Sequence, residues 1–69
     1  MTADFILFDG KIINKRDVMK IYKVVKTDKR VSRGIQLIIR HSGYVTEWYG
    51  DDQSKRNERF DVLTKVLCH

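Results

Sequence analysis

Two turn signals divide the first fifty residues into paired β-favouring runs, and that pairing confines the chain to antiparallel strands more tightly than any other feature. Asp9-Gly10 stands between Phe5-Ile6-Leu7-Phe8 and Lys11-Ile12-Ile13. Both turn positions tolerate positive φ, so the spacing predicts a two-residue β-hairpin. His41-Ser42-Gly43 stands between the runs 34–40 and 44–49, and its glycine suits a three-residue turn. In the run 34–40, Ile35, Leu37 and Ile39 share one face while Gln36, Ile38 and Arg40 share the other. The odd-numbered set is the one expected in the core.

From Ser54 onward the hydrophobic period changes. Phe60, Leu63 and Leu67 fall at helical spacing with Val66 beside them, while Lys55, Arg56, Arg59 and Lys65 read as lying largely outside that stripe. Asp51, Asp52 and Ser54 precede it, where oxygen acceptors and negative charge suit a helix start. The pattern predicts a helix over about 54–67. The segment 15–27 supports two readings. Val18, Ile21, Tyr22 and Val25 form a helical stripe that Asn14 would cap, yet Val18, Ile21, Tyr22, Val24, Val25 and Thr27 all favour strands. A strand entered through one helical turn at 14–17 is preferred, because a lone hairpin needs further strands to bury its face. Residues 27–33 then read as a solvated basic loop. The expected class is α+β, an antiparallel sheet of four to five strands from two hairpins with one C-terminal helix packed on it. The alternative is ββαββα, with 15–27 helical.

Sixty-nine residues make a single small domain, 1–69, whose thin core invites a compensating device. Cys68 is the only cysteine, so no internal disulfide forms, and Cys68, His69 and His41 are too few for a structural zinc site. Self-association is the remaining option. The start Met1-Thr2-Ala3-Asp4 has no basic leader, and the first apolar run, residues 5–8, is four residues long. No run approaches the roughly 18 apolar residues of a membrane span. A cytoplasmic location and no membrane partner are expected, and the unpaired cysteine agrees with a reducing compartment. A hydrophobic content of 42% argues against disorder.

Charge is concentrated in the middle of the chain. Residues 11–40 hold ten cations against Asp17 and Asp28, a local balance of +8 within a chain of net +5. Clustered charge raises local potential, so one face is expected to meet an anionic partner. Tyr22, Tyr44, Trp48 and Tyr49 add aromatics: over residues 44–49, Tyr44, Thr46 and Trp48 alternate with Val45, Glu47 and Tyr49, so one of Trp48 and Tyr49 faces away from the main core. An outward aromatic on a basic sheet stacks bases or anchors a protein partner. The candidate partner-binding residues are Lys26, Lys29, Arg30, Arg33, Arg40, Trp48 and Tyr49.

Motifs for chemistry are weak. His41 and Ser42 are adjacent and point apart in extended chain, with no third group to orient the imidazole. Asp51 and Asp52 sit where helix capping accounts for them. Cys68-His69 supplies two metal ligands where a tetrahedral site needs four. Gly10, Gly34, Gly43 and Gly50 never take phosphate-loop spacing. No catalytic residue, metal, cofactor or small-molecule substrate is expected.

The order of Phe8-Asp9-Gly10-Lys11-Ile12-Ile13-Asn14, Val18 and Ile21, a glycine-turned hairpin and a terminal amphipathic helix resembles short uncharacterised bacterial and phage proteins. Several of these have sheet-plus-helix folds akin to half of a pleckstrin-homology-like barrel. The resemblance implies a strand over 18–26 and a binding or scaffolding role, and it carries no functional residue across. The expected function is that of a small non-enzymatic binding or regulatory protein of a bacterium, phage or mobile element. It would act through a protein interface and self-associate. The alternative is a nucleic-acid-binding module that uses the basic segment 11–40.

Overall fold

Asp9 and Gly10 both take positive φ, at 51° and 72°, which matches a tight turn to the twist of its strands. They join β1 (Phe5–Phe8) to β2 (Lys11–Asn14) in a computed structural model that describes residues 4–67. Ile6 pairs with Ile13 and Leu7 with Ile12. Side chains alternate across the ribbon, so Ile6, Phe8 and Ile13 enter the core while Phe5, Leu7 and Ile12 remain exposed.

The segment 18–27 is a strand, entered through one helical turn over 15–17. Asn14 accepts the backbone N–H of Arg16 at 2.9 Å and opens a single 3-10 turn, Lys15–Asp17. β3 (Val18–Thr27) follows and pairs along its length with β4 (Val31–Ile39), from Val18 opposite Ile39 to Thr27 opposite Val31. A nine-residue partner strand bonds one edge of the 18–27 backbone along nearly its whole length, so the helical stripe is overridden. The basic loop expected over 27–33 shrinks to residues 28–30, because Val31, Ser32 and Arg33 join the ladder. β5 (Gly43–Trp48) returns from a turn in which His41 and Gly43 both have positive φ. Five strands therefore form two antiparallel sheets, β1-β2 and β3-β4-β5, with one C-terminal helix. The class is α+β, and the ββαββα arrangement does not form.

Helix α1 (Gln53–Leu67) starts under the Asp52 cap, whose Oδ1 accepts the N–H of Lys55 at 2.9 Å. It packs across β4 and β3. Ile6, Phe8, Ile13, Ile35, Leu37, Ile39 and Leu63 make one core, with Val18, Ile21, Val45, Tyr49, Phe60 and Leu67 at its margin. Ile35, Leu37 and Ile39 of β4 point inward, as their alternation requires.

Arg56 corrects the charge reading of the helix. Placed outside the apolar stripe by its spacing, it is 5% exposed and lies at i−4 from Phe60 and i−7 from Leu63, on the core stripe. Its guanidinium is satisfied by carbonyls: Nη1 donates to Val24 O at 3.3 Å and Gly34 O at 3.2 Å, and Nε donates to Asn57 Oδ1 at 2.9 Å. Val66, placed beside the stripe by its spacing, is exposed.

A polar node fastens the first hairpin to the rest. Glu47 on β5 accepts the backbone N–H of Asp9 at 2.8 Å and the hydroxyl of Tyr49, and Arg59 lies 3.8 Å from it. Arg59 also donates to Leu7 O at 2.7 Å. Charge-assisted bonds of this kind are stronger than neutral ones, and here they connect three elements.

Candidate functional site

α1 covers the face of β3-β4-β5 that carries Ile35 and Leu37. Register defines the opposite, open face. Val24, Gly34 and Trp48 form one row across the three strands, Tyr22, Gln36 and Thr46 the next, and Lys20, Ile38 and Tyr44 the third. Lys26 and Ser32 extend the face toward the 28–30 turn. No Asp or Glu occupies any of these positions.

Trp48 is placed by a glycine. A Cβ built on Gly34 would stand 2.7 Å from Trp48 Cε3 and 2.9 Å from Glu47 O, so the indole sits against β4 in space only glycine leaves free. The ring remains 46% exposed, with Tyr22 at 42% and Tyr44 at 68%. Trp48 and Tyr44 lie about 13 Å apart along β5, four residues at strand rise. Tyr22 stands across the sheet on β3, two strand spacings from β5 or roughly 10 Å.

The seven sequence-derived candidates do not form one cluster. Lys26, Lys29 and Arg30 gather at the β3–β4 turn, at the same end of the sheet as Trp48. Arg33 is half-buried on the other face, with Nε 3.6 Å from Asp51, and its backbone bonds to Tyr49 and Gly50. Tyr49 points inward to Glu47 and joins the core margin. Arg40 stands at the far end of β4, about 23 Å of strand away from Arg33. Of the other cations, Lys23 lies over the Phe60 ring at 4.9 Å on the helix side. The alternation of β3 splits the basic segment between two faces.

The remaining polar groups have local structural roles. Asp51 faces Arg33 and Asp52 caps α1, while His41 and Ser42 occupy an exposed hairpin tip. Cys68 and His69 lie outside the described residues. Burial pushes the Tyr49 phenol above its usual 10.0, reinforced by its hydrogen bond to Glu47 and that carboxylate's charge, while Arg59 opposes the rise. Among the described residues, no cluster of three His, Cys, Asp or Glu side chains is arranged to hold a metal.

Lys20, Tyr22 and Tyr44 complete the open face, and sequence reasoning left them out of the candidate set. The signal was available in the strand-favouring run 18–27, whose alternation puts Lys20, Tyr22, Val24 and Lys26 on one side. A second surface was equally legible: Phe5, Leu7 and Ile12 alternate with the buried residues of the first hairpin and stand 57%, 63% and 76% exposed. Comparison with known proteins finds no family model, no curated protein and no solved structure that matches this chain.

Proposed function

We propose that the chain is a small non-enzymatic binding protein of a bacterium, phage or mobile element that works in the cytoplasm and joins a second copy of itself. The supporting observation is the first hairpin, which is apolar on both faces. Ile6, Phe8 and Ile13 have the core to cover them, but Phe5, Leu7 and Ile12 have only water. Clustered exposed side chains of this size mark interaction surfaces. Leu7 and Ile12 are direct cross-strand partners, so they present one continuous ridge that can pack against its own symmetry mate in an isologous contact. Local charge permits this. Asp4 and Asp9 at the ends of β1 are offset by Lys11, Lys15 and Arg59, which leaves the ridge near charge balance, whereas two approaching copies of a +5 chain would repel across the cationic sheet face.

Burying this ridge also offsets the thinness of the single-copy core. Light scattering over a hundredfold dilution series at micromolar concentration tests the reading. The expected mass is about twice 8.2 kDa at the upper end, falling on dilution. A mass of 8.2 kDa throughout removes self-association.

A further inference from the structure

We infer that the open face of β3-β4-β5 binds single-stranded nucleic acid, with Trp48, Tyr44 and Tyr22 stacking on bases and the cations of β3 and its turn holding phosphates. Bases bring flat apolar surfaces and phosphates bring negative charge, and the open face offers the complement of each. Its aromatics are exposed, and its charges are Lys20 and Lys26 with no carboxylate on any position of the face, while the rim turn carries Lys29 and Arg30 against the single carboxylate of Asp28. None of these four cations makes an ion pair with a described carboxylate, whereas Arg33 and Arg59 do.

A single strand fits this face better than a duplex. In a duplex the base faces are stacked on one another, so the three rings would have nothing to stack on. A single strand splays its bases onto aromatic side chains while its backbone follows the charge. The backbone positions of the three aromatics stand roughly 10–13 Å apart, within reach of one extended strand. Trp48 is the best-prepared platform, because the indole rests against the sheet over Gly34 and is still 46% exposed. The proposal is independent of the hairpin contact, which uses other side chains.

The test titrates a labelled oligothymidylate of about 15 nucleotides, the same length of duplex, and heparin, each at about 50 and 200 mM salt, where counterion effects are resolved. Binding of the single strand is expected to quench the fluorescence of Trp48, the only tryptophan, and to be tighter than binding of the duplex. Trp48→Ala should weaken it by roughly 5- to 150-fold, the range for one lost base stack. Lys26→Ala and Lys29→Ala should each flatten the salt slope by about 0.7 on a single strand. Tyr44→Ala, at a side chain 68% exposed, gives the same direction of effect if Trp48→Ala does not fold.

Equal affinity for single strand, duplex and heparin with unchanged Trp48 fluorescence would overturn the proposal and reduce the face to a general polyanion surface. Absence of binding at the lower salt overturns it as well. So does an open face that proves to be a protein contact, shown when Tyr44→Ala splits a dimer that no oligonucleotide engages.

Discussion

Gly34 has ordinary strand dihedrals, so its identity is explained by space and not by φ. An added methyl would meet Trp48 Cε3 at 2.7 Å and the backbone oxygen of Glu47 at 2.9 Å, and the oxygen cannot yield without breaking the β4-β5 ladder. Gly34→Ala should therefore cost about 1–3 kcal/mol, as overpacking does, and should shift Trp48 emission as the ring is displaced. A denaturant midpoint and emission maximum equal to the parent's would show that the indole is not seated there. Tyr49 adds a pH effect. Its phenol is held above the ordinary 10.0 chiefly by burial, so the neutral form is favoured by folding. That contribution is complete below about pH 10 and is lost as pH rises toward the folded value, because the unfolded chain ionises first. Thermal midpoints should fall above pH 10 in the parent and fall less in Tyr49→Phe, and parallel curves would contradict the assignment.

At the scale of elements, α1 is anchored by packing and the first hairpin by polar contacts as well. Leu63 is 1% exposed among core residues from both sheets, so Leu63→Ala should cost about 2–5 kcal/mol and leave little stability in a domain this small. Urea unfolding measures it, and a loss below about 1 kcal/mol would mean that the helix packs loosely, since a well-filled site cannot collapse so cheaply. Local patterns made the elements readable: the Asp9-Gly10 turn, the alternation of 34–40, the Asp52 cap and the Phe60, Leu63, Leu67 stripe each act within a few residues. The run 18–27 was readable only in context, because its helical stripe and its strand composition compete until β4 supplies a partner. Arg56 was misplaced for a related reason. Its acceptors are the carbonyls of Val24 and Gly34, on strands that no helix-local pattern reveals.

Over the whole molecule, long-range register decided what the sequence could not. The node at Glu47 joins residues 38 positions apart, and the separation of the strands into sheets of two and three follows from which backbones meet. The basic segment looked like one patch, yet register sends Lys26 outward beside Trp48, Lys23 inward over Phe60, and Arg40 to the opposite end. The surfaces left over are an apolar hairpin ridge near charge balance and a cationic aromatic sheet face, which suit different partners. Self-association through the ridge is tested most directly by sedimentation equilibrium of Ile12→Glu beside the parent. Ile12 is 76% exposed, so the change adds charge to the ridge without opening the core. At equal micromolar concentration the parent should sediment as a dimer and the variant at 8.2 kDa with an unchanged far-ultraviolet dichroism spectrum. A variant that stays folded and sediments with the parent's mass would contradict the assignment of the hairpin ridge as the contact between copies.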